Sequence, residues 1–317
     1  GQDIISPPIT PDNEQVSADS ILKDLQSAIE SYNSDFFVKQ IGNGLYVTHS
    51  DPDYVFSFST PEAALMNIVT NEVNNVADLP QQCRGGYRVL VANTDNDFDD
   101  YYAIFETEFN GIDGPGAWVE TIAPDAEAVI NPASMPHQMS RQDDGTFVVA
   151  PVEWASREVG DDVTCPKPSF VSRILSEPGR MRYINNMAFF RNRLCMLSGD
   201  NVVCSRPGDY FNFWNGSALQ QVDNDPIDIA VGTTGSSANA TLYDAMEVSD
   251  GLVVFTSDSQ FLLSTDSENL SPQSARFNRI GTYRYTGSEV RNIGLPDGTR
   301  EKVYRGVPVF SMGTTIG

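Results

Sequence analysis

The feature of the sequence that most constrains the fold is a long succession of short β-strand patterns separated by turn-forming residues. Past residue 140 these patterns recur at roughly 8–12-residue spacing, which is typical of an antiparallel sandwich, barrel or propeller. The predicted strands there are 146–150, 188–191, 193–197, 201–205, 227–231, 252–255, 260–263 and 307–310. No fixed signature repeats along this stretch, so a propeller does not follow from repeats alone.

The N-terminal part begins with one predicted helix, residues 18–32. Ser17 can cap this helix, and Asp19 lies in its first turn. The apolar residues that share one helical face are Ile21, Leu22, Leu25, Ala28, Ile29 and Tyr32. Further strands are predicted at 44–48, 54–58, 87–91, 101–105 and 117–121. The expected fold class is therefore mainly β with a small α/β N-terminal part.

The chain is strongly acidic. It has 43 Asp and Glu residues against 20 Lys and Arg residues, a formal net charge of −23. A diffusing DNA-binding factor is excluded as a function class, because such a chain repels nucleic acid and anionic membranes. No run of 18 apolar residues is present, so no transmembrane helix is expected. The first residue is Gly and no signal peptide is recognisable, so we expect a piece of a longer polypeptide.

This acidity is concentrated in the first part of the chain. Residues 1–130 hold 22 acidic and 4 basic residues, whereas residues 131–317 hold 21 acidic and 16 basic residues. Such an asymmetry favours a boundary between the two parts. The turn-forming residues and two prolines at 130–136 favour the same position. We therefore expect an acidic module at 1–130 and a β body at 131–317.

The residues that enzymes and metal sites need are scarce. The four cysteines form no C-x-x-C pair and the two histidines are His49 and His137, so no zinc site is expected. The sequence has no G-x-S-x-G, no P-loop and no G-x-G-x-x-G. A glycosidase pair could be picked by chance from so many acids, so it carries no information. We expect no enzymatic activity, no catalytic residues and no cofactor.

One acidic loop has the ligand spacing of an EF-hand. Asp95, Asp97 and Asp99 occupy positions 1, 3 and 5, and Glu106 occupies position 12. Position 6, which needs glycine, is Asp100, and the flanking segments are predicted strands rather than helices. A solvated hairpin loop is the favoured interpretation, and a calcium site is the alternative.

One hairpin can be worked out residue by residue. Gly199 and Asp200 fit a two-residue loop of type II′, with glycine first. Counting outward pairs Cys195 with Cys204 at a non-hydrogen-bonded position, where Cα atoms approach to about 4.5 Å, within disulfide range. We predict adjacent free thiols, because a reducing cytosol is expected.

The same counting places Arg193 opposite Arg206. Two facing guanidinium groups need anions, and a salt-bridge network is expected to supply them. The nearby acids are Asp161, Asp162 and Asp209.

Several ordered blocks between 135 and 261 carry a family resemblance. The most specific read Phe-Phe-Arg-Asn-Arg-Leu at 189–194, Leu-Ser-Gly-Asp-Asn-Val-Val at 197–203 and Ser-Arg-Pro-Gly-Asp-Tyr-Phe-Asn-Phe-Trp at 205–214. Further blocks lie at 135–139, 144–147, 152–154, 160–162, 166–171, 223–228 and 255–261, with weaker ones at 78–80, 86–87, 100–102 and 118–121. Together they resemble the tail tubular protein B, or nozzle, family of short-tailed bacteriophages.

The resemblance assigns a structural role to ten motif residues and departs from the family at two cysteines. The motif residues are Asn192, Arg193, Leu194, Ser198, Gly199, Ser205, Arg206, Asp225, Pro226 and Asp228. Cys195 stands where the family commonly has Gly, and Cys165 stands in a Thr-Asn-Pro-like position. We expect both cysteines to be incidental to function.

What the resemblance implies is a structural virion protein of the phage tail, assembled in the host cytoplasm. Family members form a homohexameric tube that joins the portal and adaptor rings to the tail tip and conducts double-stranded DNA during ejection. Its expected partners are further copies of itself, the tail adaptor protein, the tail fibres and, transiently and without specificity, the passing DNA. Residues 131–317 would be the first part of a truncated, propeller-like β domain, and 1–130 a peripheral module.

Two other functions stay open at the level of sequence. Virion β proteins often meet polysaccharide, so a glycan-binding or depolymerising tail protein that contacts the host cell surface is the first alternative. It needs a cleft with two close carboxylates and exposed aromatic rings. A calcium-binding extracellular β module is the second alternative and depends on the acidic loop at 95–106.

Overall fold

The computed structural model describes residues 17–60, 66–92, 100–108, 111–171, 183–231, 241–256, 258–267 and 269–282, with the backbone of three strands between 290 and 311. The chain divides into two compact units, residues 1–123 and 124–317. That these units are a peripheral module and a propeller-like body remains a prediction. Within the described residues, no helix has the length and apolarity that a membrane crossing requires.

The predicted N-terminal helix is confirmed as α1, Ala18–Tyr32. Ser17 and Ser20 form its capping box, because the hydroxyl of each accepts a hydrogen bond from the backbone N–H of the other at 3.2 Å. Only part of the predicted apolar face is buried, at Leu22 and Ile29. Ile29 packs against the hairpin that follows the helix.

The first unit contains this hairpin and a five-stranded sheet. The hairpin consists of β1, Phe36–Ile41, and β2, Gly44–His49. The sheet has the order β3-β5-β6-β7-β4, in which only β3 and β5 are parallel. Its strands are β3 Glu72–Val73, β4 Gln82–Arg84, β5 Arg88–Val91, β6 Tyr101–Thr107 and β7 Asp113–Thr121. Three of the predicted strands, 87–91, 101–105 and 117–121, are thus confirmed.

The predicted strand at 54–58 is wrong, since the structure assigns no strand there. Its alternating aromatic residues instead pack by their rings. Tyr54 and Phe56 meet Phe36 edge-on at centroid distances of 5.8 and 5.2 Å, and Phe58 meets Phe56 at 5.6 Å. Alternation therefore reports a common face here, without the backbone ladder that would make a strand.

The second unit is built from antiparallel strands that pair in chain order. Its described residues form a two-stranded hairpin, two four-stranded sheets and a three-stranded sheet. The hairpin is β8 His137–Arg141 and β9 Phe147–Pro151; the first four-stranded sheet is β10 Ile184–Phe190, β11 Arg193–Ser198, β12 Asn201–Cys204 and β13 Ile227–Ala230. The second is β14 Leu242–Val248, β15 Gly251–Thr256, β16 Gln260–Thr265 and β17 Ala275–Gly281; the last sheet is β18 Val290–Gly294, β19 Arg300–Tyr304 and β20 Val307–Ser311. The mainly β fold class is confirmed.

The strand β11 is buried along its whole length and separates two hydrophobic cores. Cys195 and Leu197 face the first core, which β11 and β12 share with Leu252 and Leu263 of the second four-stranded sheet. The second core receives the alternate side chains of β11 and lies around Trp154, Phe213 and Trp214. Burial on both faces explains why β11 reads as a nearly continuous apolar run.

Candidate functional site

The ten motif residues cluster at two places in the second unit, and a buried arginine organises the larger one. Arg193 opens β11 and is only 1% exposed. Its guanidinium donates four hydrogen bonds to backbone carbonyls. Nη1 donates to Ser205 and Asp225, both at 2.7 Å, and Nη2 donates to Asp223 at 2.9 Å and Leu270 at 3.0 Å.

These four acceptors lie on two segments of the chain that are otherwise separate. Ser205, Asp223 and Asp225 belong to the connection between β12 and β13, and Leu270 follows β16 in the second four-stranded sheet. Arg193 therefore joins its own strand, a long loop and the neighbouring sheet. Burial lowers the pKa of Arg193 from its ordinary value, but a guanidinium stays charged in proteins. The planar fork suits this role because its donors point in fixed directions.

Asp225 closes the same loop from its other side. Its carboxylate is fully buried, and each oxygen accepts one backbone N–H. Oδ1 accepts from Gly216 at 2.9 Å, and Oδ2 accepts from Val222 at 2.8 Å. Arg206 adds an ion pair at 4.0 Å, and Pro226, which follows Asp225, is buried as well.

Leu194 and Ser205 join the start of β11 to the end of β12, and Asn192 lies in the turn before β11. Ser205 donates its N–H to the carbonyl of Leu194 at 2.8 Å, and its hydroxyl accepts from the N–H of Leu194 at 3.0 Å. Asn192 has φ 59°, and Arg191 before it has φ 43°, so the loop between β10 and β11 is a type I′ turn. The side-chain oxygen of Asn192 accepts from the hydroxyl of Tyr210 at 2.7 Å.

The remaining motif residues lie away from Arg193. Asp228 on β13 accepts from the N–H and hydroxyl of Ser169 at 2.8 and 2.9 Å, and from the amide of Asn201 at 2.7 Å. Ser198 and Gly199 lie at the far end of β11, where Ser198 is fully buried and its hydroxyl has no partner among the described residues. Gly199 has φ 58°.

The predicted hairpin register is confirmed, including the pairing of Cys195 with Cys204. Positive φ at Gly199 and not at Asp200 fits the predicted type II′ loop. Both thiols are free and fully buried. The pKa of Cys195 is raised well above its ordinary value, because its thiol is hydrogen-bonded to Cys204 and is removed from water.

The predicted pairing of Arg193 with Arg206 is wrong. The strand β12 ends at Cys204, so the register cannot be counted as far as Arg206. Instead, the backbones of Arg206 and Asp209 form an isolated antiparallel β-bridge. Carbonyl oxygens, rather than carboxylates, surround the Arg193 guanidinium.

The predicted acids have other partners. Asp161 accepts from the N–H groups of Val163 and Thr164, both at 2.9 Å, and so closes its own turn. Asp162 accepts from Arg157 at 2.8 Å, and this hydrogen bond holds the pKa of Asp162 below its ordinary value.

Arg157 is a second buried arginine that sequence reasoning missed. Its guanidinium lies 4.6 Å from the Trp214 ring centroid, a cation–π contact. Its Nε and Nη1 atoms are buried without a partner among the described residues. One sequence signal indicated its importance, since Arg157 lies between the family-like blocks at 152–154 and 160–162.

The alternative calcium site falls mostly outside the described residues. Asp95, Asp97 and Asp99 are not described, and Glu106 lies on β6. Within the part of the chain that is described, no three His, Cys, Asp or Glu side chains come together in a group that could hold a metal ion.

Arg193 and Asp225 both act through hydrogen bonds to the backbone. Every described contact of the Arg193 guanidinium goes to a carbonyl, and both oxygens of Asp225 accept backbone N–H groups. Groups occupied in this way hold a loop in place. These hydrogen bonds are consistent with the structural role that the resemblance assigns to the motif residues, which remains a prediction.

Two comparisons with known proteins lead to the same family. A family model described as "Bacteriophage nozzle protein" matches residues 7–294. The tail tubular protein gp12 of Escherichia phage T7 is 32% identical over 293 residues, which cover 91% of this chain and 34% of that protein. The chain thus spans about a third of the length of this relative. A match that covers most of the chain, at this identity, shows that the chain belongs to the bacteriophage nozzle protein family.

Proposed function

We propose that this chain is part of a structural subunit of a phage tail, and that copies of the subunit form a tube through which double-stranded DNA leaves the capsid. The observation that carries the proposal is the match of residues 7–294 to the nozzle family. The subunit acts in the virion, as a hexamer that joins the portal and adaptor to the tail tip, with tail fibres attached nearby. It has no catalytic step.

The architecture of the second unit supports this role. Two four-stranded antiparallel sheets follow one another along the chain, each with its strands in sequence order, and pack through a shared core. Successive four-stranded sheets of this kind are what the blades of a propeller require. We propose that these sheets are the first blades of a propeller-like body, with the first unit as a peripheral module.

The charge of the chain also supports a conduit. DNA that passes through a tube must not be held by its wall, and an acidic wall repels phosphate groups. With a net charge of −23, the chain can supply such a wall if part of its acidic surface faces the lumen.

The test is to locate the polypeptide in virions and to image the purified protein. An epitope tag on the polypeptide, detected by immunogold electron microscopy, is expected to label the tail below the portal. Purified protein is expected to form six-fold rings or tubes in electron micrographs. Label confined to the capsid would contradict the proposal.

A glycan-binding tail protein is the second candidate, and one observation favours it. Tyr54, Phe56 and Phe58 form a contiguous row of rings that are each partly exposed, which is the kind of surface on which sugars stack. Retention of the chain on host polysaccharide, lost in Phe56→Ala, would promote this candidate. The same retention in Phe56→Ala would remove it.

A further inference from the structure

The hairpin of β8 and β9 projects from the second unit with both of its faces exposed. Every residue of the two strands is exposed except Ser140, which is half-buried. At the base of the hairpin, Met135 and Val152 are both buried in the second core. Five paired residues then extend it by about 17 Å. Neither strand pairs with any other described strand.

The first face of the hairpin, here called the apolar face, carries its largest apolar side chains, beside Pro151, His137 and Arg141. Met139, Phe147 and Val149 lie on this face and are 66%, 62% and 65% exposed. The opposite face carries Gln138, Ser140 and the smaller apolar residues Val148 and Ala150. Large apolar side chains that lie side by side at this exposure mark an interaction surface, and none of the described residues covers them. A two-stranded hairpin is marginally stable alone in water, so a partner surface is expected.

The turn of the hairpin is built to hold this shape in advance. Asp144 accepts hydrogen bonds from the N–H and the hydroxyl of Thr146 at 2.9 and 2.6 Å, and Gly145 has φ 84°. The carbonyl of Thr146 accepts from the N–H of Gln142 at 2.8 Å. A preformed hairpin loses little conformational entropy when it docks, which favours a role in binding.

We infer that the apolar face of this hairpin docks on a second copy of the same chain. The inference rests on the proposed function, since a tube of copies requires contacts between them. Two chains with a net charge of −23 each repel one another, which favours a contact through surface that carries few charges. The ten residues of β8 and β9 include a single formal charge, Arg141.

The charged residues of the hairpin lie at its tip, where Arg141 ends β8 and Asp143 and Asp144 follow in the turn. Arg141 lies on the apolar face beside Phe147, and it makes no ion pair with the described residues. An apolar face with a cation at its edge complements an apolar surface that has a carboxylate at its rim, and each further copy of this chain carries 43 acidic residues. The hairpin is too small to be a complete interface, so it forms one element of a larger contact.

The test compares two substitutions on opposite faces of β9 in the full 317-residue chain. Val149→Asp places a charge on the apolar face, and Val148→Asp places the same charge on the opposite face one residue away. Sedimentation over a range of concentrations is expected to show self-association of the unchanged chain. We expect Val149→Asp to weaken this association more than about tenfold and Val148→Asp to change it less than about threefold.

A photo-crosslinking amino acid at position 149 identifies what covers the face. In a mixture of isotopically heavy and light chains, heavy–light crosslinks are expected from position 149 and few from position 148. Crosslinks confined within single chains would show that the hairpin folds onto its own polypeptide, and the inference would be overturned. If Val149→Asp fails to fold, as judged by circular dichroism, this crosslinking result decides alone.

Failure of this inference can be separated from failure of the proposed function. If the unchanged chain and both variants associate equally, another surface joins the copies, and the tube remains the proposed function. If the unchanged chain is monomeric throughout and gives no heavy–light crosslinks, the inference is overturned. Immunogold location of the polypeptide in virions tests the tail role independently of both results.

Discussion

Removing the Arg193 guanidinium should lower the stability of the second unit more than the substitution of an exposed residue does. Arg193→Met keeps an unbranched side chain of similar length but deletes all four hydrogen bonds to backbone carbonyls. Three of these bonds are buried and one is partly buried. A buried polar group left without a partner costs about 1–3 kcal/mol, and the loss of a buried charge returns part of that cost. We expect a net loss of about 3 kcal/mol in the free energy of unfolding, a large fraction of a typical 5–15 kcal/mol.

Two further variants separate the geometry of the guanidinium from its charge. Arg193→Lys keeps the charge but offers one ammonium group, which cannot reach four carbonyls in the directions of the fork. We expect it to lose about half as much stability as the Met variant. Arg191→Met removes an exposed arginine two residues away and should change stability by no more than about 0.5 kcal/mol.

The assay is guanidinium unfolding followed by tryptophan fluorescence, with hydrogen exchange on peptides that contain β11. Trp154 and Trp214 lie in the second core and report on this unit. Because two units can unfold separately, hydrogen exchange confirms which of them has weakened. The reasoning is refuted if Arg193→Met matches the unchanged chain, or if Arg193→Lys is as stable as Arg193.

Three other outcomes are expected. Asp225→Asn places an amide NH₂ against a backbone N–H and should lower the free energy of unfolding by about 1–3 kcal/mol in thermal or denaturant unfolding. The control Asp223→Asn changes an exposed side chain and should be nearly neutral. Equal losses in the two variants would contradict the assigned hydrogen bonds. Because the pKa of Cys195 is raised in the folded state, the thiol of the unfolded chain ionises at lower pH than that of the folded chain. The free energy of unfolding should therefore fall as the pH rises above about 8.5 and towards the raised folded-state pKa. Cys195→Ala should lessen this fall, and the same pH profile in the variant would contradict a raised pKa at Cys195. In fluorescence anisotropy, the chain should not bind duplex DNA at micromolar concentration even in low salt, and salt-sensitive binding would remove the acidic-wall argument.

Local patterns predicted the hairpins better than they predicted where strands end. The register of β11 and β12 follows from a short loop, and counting outward from Gly199 placed Cys195 opposite Cys204 correctly. The same counting failed two residues later, because the chain leaves the ladder at Ser205 and Arg206 turns towards Asp209. Pro207, Gly208 and Asp209 mark a turn just after this point, and the counting gave that signal too little weight.

Several strands were missed because their alternation is broken or mostly polar. The strand β14 has a register shift between Leu242 and Asp244, which disturbs the two-residue period. The strand β17 is largely exposed, so few apolar residues mark it. The hairpin strand β8 was missed for the same reason, and only its partner β9 was predicted.

The four acceptors of Arg193 could not be found from sequence, because all of them are carbonyls outside the strands and the fourth lies in the connection between β16 and β17. A backbone carbonyl carries no signature of its residue type, so no pattern identifies such a partner. The resemblance marked Arg193 and Asp225 as motif residues, but their roles became visible only in the fold.

The long connection between β12 and β13 explains why a charged residue can occupy the start of a strand that is buried on both faces. This connection folds against the sheet instead of running over its surface, so its carbonyls are removed from water without a ladder partner. One guanidinium satisfies three of them and reaches the next sheet through Leu270, while Asp225 satisfies two N–H groups of the same loop. These hydrogen bonds connect the loop with both sheets and make the junction between the two sheets rigid. If the proposed tube exists, such rigidity would present the same surface to each neighbouring copy.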